Sequence, residues 1–399
     1  MARKKTDDSK ERQKDDEIAS NVNHPHYPIY APIEHYSISS DGCLIYSNGD
    51  KRYQLCNGTI AIIKEIYKFN GFGDSEIEFL IEVINKDGIK RQVTVPAAEF
   101  SSFNWLTKKL GTFVVVMPNQ TVKSTLATGI LLSGEQCERE RICTHTGYIM
   151  KDGKPTNYMS ASGSLLPSDI KCEIDPSLKR YALSEPSKSE TEVKEAVRAS
   201  MNLLFAHEIE VTGSVFAYTF LSPILPIVND LVGDTGFLLF LSGKTQSGKS
   251  NLAALSTSFF GRFDSQTPPT TFASTANAIS IMAYILKDMS LWVDDFNPQE
   301  YMKAMTQIFQ MLARAAGDHS TRRRLDSNAK LKESYPPRCL FIVTGEFPPK
   351  IGHSGHARVF QVDVPYARKD ITTIREDARK GVLSRAMSDY ITYVISDFD

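Results

Sequence analysis

The spacing of polar and apolar positions changes along the chain, and the changes mark its parts. Residues 1–17 hold six basic and six acidic side chains and have little to bury. This predicts a disordered charged tail over 1–37. Residues 38–183 read as a β-rich α+β region. Ile60–Tyr67 is an apolar, β-branched run, and Ile77–Ile84 and Gln92–Val95 flank Asp87-Gly88. That pattern predicts a hairpin closed by a turn needing positive φ. Thr112–Met117 predicts a buried strand and Gln120–Leu132 a helix. Cys143–Met150 followed by Lys151-Asp152-Gly153 predicts a second hairpin.

The polar run Ser184–Ser189 contains a proline and marks the main boundary. A linker and helix start occupy 184–192, and a second domain follows over 193–399. Ser189 and Glu192 fit a capping box opening a helix to about Ala206, because each side chain can satisfy a free backbone N–H. Val215–Val228 is the longest apolar stretch. It is short and broken by Pro223 and Pro226, so it reads as buried core rather than a membrane span. Short apolar strands then alternate with helical patterns: Phe237–Ser242, Ser290–Val293, Cys339–Val343 and Val359–Val362, with helices near 251–260, 298–316 and 382–394. Alternation of this kind predicts an α/β domain with a parallel sheet. Met302, Met305, Ile308, Phe309 and Leu312 share one helix face and read as core.

Composition narrows the classes. With 41% apolar and 23% charged residues, the chain is ordinary globular protein. A net charge of −1 excludes a basic DNA-coating protein but not a local basic patch. None of the six cysteines forms a C-x-x-C pair, which argues against a structural zinc site or a disulfide scaffold and fits a reducing cytosol. The charged N-terminus has no secretory-signal pattern.

One stretch carries chemistry. Phe237–Ser242 runs into Gly243-Lys244-Thr245-Gln246-Ser247-Gly248-Lys249-Ser250, the pattern G-x-x-x-x-G-K-S, with Asn251 continuing into a helix. Glycines let backbone N–H groups curl around a polyphosphate, and the helix points its positive end at the same anion. Lys249 would reach the β- and γ-phosphates of ATP, and Ser250 would ligate Mg²⁺. A metal-ordering acid should follow on a second strand, and Asp294-Asp295 stand there. The two share the tasks of holding the Mg²⁺ shell and orienting water. Thr344, at a third strand end, is the first candidate for a γ-phosphate sensor, with Glu346 as the lesser choice. Arg358 is the candidate for stabilising charge on a neighbouring subunit's phosphate, with Arg314 and Arg338 as weaker choices. The segment Thr321–Tyr335 holds Arg322, Arg323, Arg324, Lys330 and Lys332, with turn formers at its centre. It fits a projecting basic hairpin able to grip nucleic-acid backbone, or a solvated loop.

The order of these features resembles superfamily-three-type ring helicases. More closely, the chain resembles the MCM-like, self-loading replicative helicases of staphylococcal pathogenicity islands and cassette elements. They belong to a wider phage and plasmid primase-helicase-associated ATPase family, which also has a G-Y/W element like Gly147-Tyr148. The resemblance implies an AAA+ homo-hexamer that encircles single-stranded DNA and unwinds duplexes with ATP, in the cytoplasm of a bacterial host and with no membrane partner. Host or element replication proteins are further candidate partners. On this resemblance Lys249 and Ser250 match the phosphate-loop pair, Asp294 and Asp295 the acidic pair, Arg358 the arginine finger, and Arg322, Arg323, Arg324 and Lys330 the DNA-gripping hairpin. Many such helicases have asparagine at the sensor, where this chain has Thr344-Gly345-Glu346. Two other readings stay open: an AAA+ protein remodeller or loader indifferent to DNA, and a nucleotide-gated assembly module with negligible turnover.

Overall fold

In the computed structural model, the described residues are 27–30, 33–71, 75–233, 235–318, 335–348, 351–367 and 369–398. By compactness the chain divides into Met1–Ile142 and Cys143–Asp399.

The first unit opens with a helical turn, α1 (Tyr27–Tyr30), and an antiparallel meander of β1 (Tyr36–Ile38), β2 (Leu44–Asn48) and β3 (Lys51–Cys56). A larger antiparallel sheet follows from β4 (Gly58–Phe69), β5 (Ser75–Asn85) and β6 (Lys90–Pro96). The turn between β5 and β6 is the expected hairpin, with Gly88 at φ 77°. Helices α2 (Ala97–Phe100), α3 (Asn104–Leu110) and α4 (Gln120–Ser133) close a core around Trp105, Ile60 and Ile81, and β7 (Glu138–Cys143) lies beside β4. Thr112–Met117 is not the buried strand its composition suggests. It makes a single bridge, Val116 to Cys56, and leaves Val115 exposed. Three consecutive valines supply β propensity, but Val115 faces solvent between its neighbours, so context decides.

The second unit begins with β8 (Gly147–Lys151) and β9 (Lys154–Ser160), the second expected hairpin, followed by β10 (Gly163–Ser164) and β11 (Ile170–Cys172). Tyr148 and Tyr158 belong to the same core as the parallel sheet beyond, so compactness places this hairpin with the C-terminal unit. The run Ser184–Ser189 is tied down rather than free. Ser184 N donates to Ser384 Oγ (2.9 Å), and Ser187 N and Oγ donate to Asp389 (2.7 and 2.6 Å).

Helix α5 (Glu190–Met201) starts at the expected cap, with Glu192 N donating to Ser189 Oγ at 3.3 Å. The return contact slips by one residue, from Lys188 N to Glu192 Oε2 at 2.7 Å. Helix α6 (Ile209–Val232) runs straight through Pro223 and Pro226, correcting the expected break. Each internal proline costs a helix about 3 kcal/mol in isolation. Here the helix is held by burial of Val215, Tyr218, Thr219, Pro223 and Leu225. It is the one described helix long and apolar enough to cross a membrane by length and composition.

The sheet comprises β12 (Leu238–Ser242), β13 (Thr270–Thr271), β14 (Ser290–Phe296), β15 (Leu340–Gly345) and β16 (Val359–Asp363), all parallel in the order β13-β14-β15-β12-β16. A parallel sheet needs cover on both faces. Helices α7 (Lys249–Thr257) and α8 (Ala276–Ile285) connect its first strands, and α9 (Pro298–Asp318) sets Phe309 against Phe240 at 5.4 Å. A short turn, α10 (His353–His356), precedes β16, and α11 (Thr372–Lys380) and α12 (Val382–Ser396) end the unit.

Candidate functional site

The chain leaves β12, visits the sheet edge at β13, and returns through β14 to β15 at β12's side before crossing to β16. Open parallel sheets bind ligands beyond the carboxyl ends of strands where the order reverses. The loop 243–250 leaves the carboxyl end of β12 at that place. Gly248 (φ 98°) caps the N-terminus of α7, and Gln246 also holds positive φ, at 67°. A Cβ on Gly243 would lie 2.5 Å from Val364 O and 2.6 Å from Ser247 Oγ, so only glycine fits there. The Lys249 ammonium folds back on Lys244 O at 3.2 Å. Ser247 Oγ is buried with no hydrogen-bond partner, and a buried hydroxyl of that kind calls for one.

The acidic pair sits in a bulge. Val293 pairs with Val343 and Phe296 with Gly345, so β14 holds one extra residue there. Bulges re-aim side chains. Asp294 turns inward, and its Oδ1 accepts from Ser250 Oγ at 3.1 Å and from Thr344 Oγ1. Asp295 is exposed with φ 63°, and its N–H donates to Thr344 Oγ1 at 3.4 Å. Trp292 Nε1 donates to the same hydroxyl at 3.5 Å. Thr344 is wholly buried, and one donation with two acceptances uses its hydroxyl fully. The structure therefore brings Ser250, Asp294 and Thr344 together, with Asp295 adjoining.

Arg358 lies elsewhere. In the parallel register β16 pairs Val359 with Leu238 and Asp363 with Ser242, and Leu238 N donates to Arg358 O at 3.0 Å. Arg358 thus marks the end of the sheet opposite the loop. Its Nη1 donates to Ser354 O (2.6 Å) and Oγ (2.7 Å). Of the weaker choices, Arg314 is exposed on α9. Arg338 stacks on Tyr284 at 3.8 Å and donates to Tyr284 O at 2.7 Å, and burial lowers its pKa. Arg322, Arg323, Arg324, Lys330 and Lys332 lie outside the described residues, and so does the side chain of Met302.

Three features carry no signal in the sequence. Glu346 accepts a hydrogen bond from Thr245 Oγ1. Arg375 on α11 donates to Asn251 Oδ1 at 2.6 Å, beside a cleft of about 440 Å³ that also involves Arg262, Phe263 and Arg379. Asp363 accepts from Ser242 Oγ, which lowers its pKa, and from Gln361 at 3.0 Å. The contacts Thr245–Glu346, Asn251–Arg375 and Ser242–Asp363 each join residues more than a hundred positions apart, so no local motif announces them.

The chain belongs to the family described as a domain of unknown function, DUF927, whose model matches residues 38–325. No curated protein matches. Among solved structures the chain is similar to "SCCmec type IV Cch - active helicase", at 13% identity and a TM-score of 0.53, over 92% of this chain and 66% of that one. It also matches the apo C-terminal region of NrS-1 at 15% identity and a TM-score of 0.36, over 78% and 63% of the two chains. A JCV helicase matches at 14% identity and a TM-score of 0.30, over 53% and 56%. At such identities the first of these is a likeness of fold, and the chain spans 66% of that structure's length.

Proposed function

We propose that this chain is an ATP-dependent DNA helicase that forms a ring and translocates on single-stranded DNA in the replication of a mobile genetic element. The carrying observation is the contact between Ser250 Oγ and Asp294 Oδ1 at 3.1 Å, made beside a G-x-x-x-x-G-K-S loop at the reversal point of a parallel sheet.

The residues present fit a magnesium nucleotide. Ser247 Oγ and the loop N–H groups offer donors to a phosphate, and Lys249 supplies the positive charge. Ser250 and Asp294 would hold Mg²⁺, which keeps several of its own waters and needs only one or two protein ligands. When bound, Mg²⁺ supplies neutralisation of charge on the transferring phosphate. Asp295 would orient the attacking water, Thr344 would hold Asp294 in place, and Arg358 would act on a neighbouring copy's phosphate. Arg322, Arg323, Arg324, Lys330 and Lys332 would grip DNA. The likeness of fold to a structure described as an active helicase supports the same reading.

The test is the ATPase rate with and without single-stranded DNA at two salt concentrations. Single-stranded DNA should stimulate turnover, and the stimulation should fade as salt rises because backbone contacts release counterions. Lys249→Ala should lower turnover by on the order of 10²-fold or more, the scale for losing a charge-stabilising donor. A rate indifferent to DNA would favour a remodeller, and negligible turnover would favour an assembly module.

A further inference from the structure

Strand β15 stands between β12, which carries the loop, and β14, which carries the acidic pair. Its tip reads Thr344-Gly345-Glu346. A Cβ at Gly345 would lie 2.7 Å from Phe296 O, 2.9 Å from Phe296 Cβ and 3.0 Å from the Phe240 ring. Packing against buried backbone therefore forbids a side chain at the middle position, and polar function falls to its two neighbours. They engage opposite sides of the site. Thr344 donates to Asp294, and Glu346 accepts from Thr245 Oγ1. Asp294 in turn accepts from Ser250, and Gly243 N donates to Gly345 O at 3.1 Å. The tip is thus bonded to the first and third residues of the loop and, through Asp294, to its last.

We infer that Glu346 is a charge gate on the phosphate loop, a positioning residue for nucleotide. This rests on the nucleotide reading given above. Thr245 has one hydroxyl proton to donate. The Glu346 carboxylate takes it, and a polyphosphate oxygen arriving at the loop would compete for the same proton. Like charge adds to the competition, so a triphosphate must expel Glu346 from Thr245. The displacement begins one glycine away from Thr344, which fixes Asp294. Arrival of the phosphates at the loop is thereby relayed to the residue that would hold the metal.

The test measures binding of ATP and of ADP to the full chain at low and high salt, for the wild type, Glu346→Gln, Glu346→Ala and Lys249→Ala. Glu346→Gln keeps an acceptor for Thr245 and removes only the charge. It should bind ATP roughly three- to tenfold more tightly at low salt, with a smaller gain for ADP and a gain that shrinks as salt screens the repulsion. Glu346→Ala should shift affinity in the same direction. Unchanged or weaker ATP binding by both variants, alongside normal wild-type binding that Lys249→Ala abolishes, would overturn the gate and leave the loop reading standing. A drop in turnover at unchanged affinity would overturn it too, in favour of a water-orienting carboxylate. A wild-type chain that binds no ATP, or a Lys249→Ala variant that binds as well as wild type, would remove the loop reading itself.

Discussion

Single residues in the second unit show how burial sets chemistry. His145 is 1% exposed, and its Nδ1 lies 2.6 Å from Thr146 O. Burial pushes its imidazole down to about 3, and the nearby charges of Arg338 and Lys287 add to the fall. The folded pKa lies below the unfolded value of about 6.5, so the unfolded chain binds one more proton between those limits. The stabilisation is complete above about pH 6.5 and is lost as pH falls toward 3, at about 1.4 kcal/mol per pH unit. Urea unfolding at pH 7 and pH 5 should show a loss of about 2 kcal/mol from this residue. His145→Gln should flatten the profile by one proton. An unflattened profile would place the acid sensitivity elsewhere.

At the scale of elements, the hairpin of β8 and β9 owes its place to a glycine. Gly147 holds φ 94°, and a Cβ there would lie 2.5 Å from Asp288 Oδ2 and 2.6 Å from Lys287 O. The approach lets Tyr148 N donate to Asp288 Oδ2 at 2.9 Å and Tyr158 OH donate to Asp288 O at 2.7 Å. Gly147→Ala should therefore cost roughly 2–4 kcal/mol, combining backbone strain with a clash against main chain. Gly153→Ala, at φ 78° with nothing within 4 Å, meets the strain alone and should cost about 1 kcal/mol. Equal losses in denaturant melts of the two variants would refute the docking argument. The same contrast explains what is legible in the sequence. Glycine, lysine and serine at fixed spacing announce the loop, because its chemistry is local. Alternation announces β5 and β6, and short apolar runs announce four strands of the parallel sheet, while the two-residue edge strand β13 carries no such run. The Thr112–Met117 segment and the prolines of α6 mislead because packing outvotes local preference. The polar run at Ser184–Ser189 resembles a boundary because its anchors, Ser384 and Asp389, lie some 200 positions away. Glu346 reads as the lesser sensor candidate for the same reason, since its partner stands 101 residues earlier.

At the scale of the whole molecule, the position of Arg358 is the sharpest constraint on how copies would work together. It stands one residue before Val359, level with the start of β12, while the loop follows Ser242 at the other end. Five strand residues span about 16 Å. The Arg358 guanidinium is turned to Ser354, and its stem fills the space beside Gly317, where a Cβ would lie 2.6 Å from Arg358 Cδ. An arginine so placed does not serve the loop of its own chain, but a head-to-tail neighbour in a closed ring could present it to the next. This makes a mixing experiment decisive. Lys249→Ala and Arg358→Ala should each be inactive alone, and Arg358→Ala should still bind ATP. Combined, they create seams where an intact loop from an Arg358→Ala copy meets an intact arginine from a Lys249→Ala copy. Those seams should hydrolyse ATP, so the mixture should recover a fraction of wild-type activity that neither variant shows. An arginine acting within its own chain predicts the reverse: every copy then carries its own defect, and the mixture stays silent at any ratio.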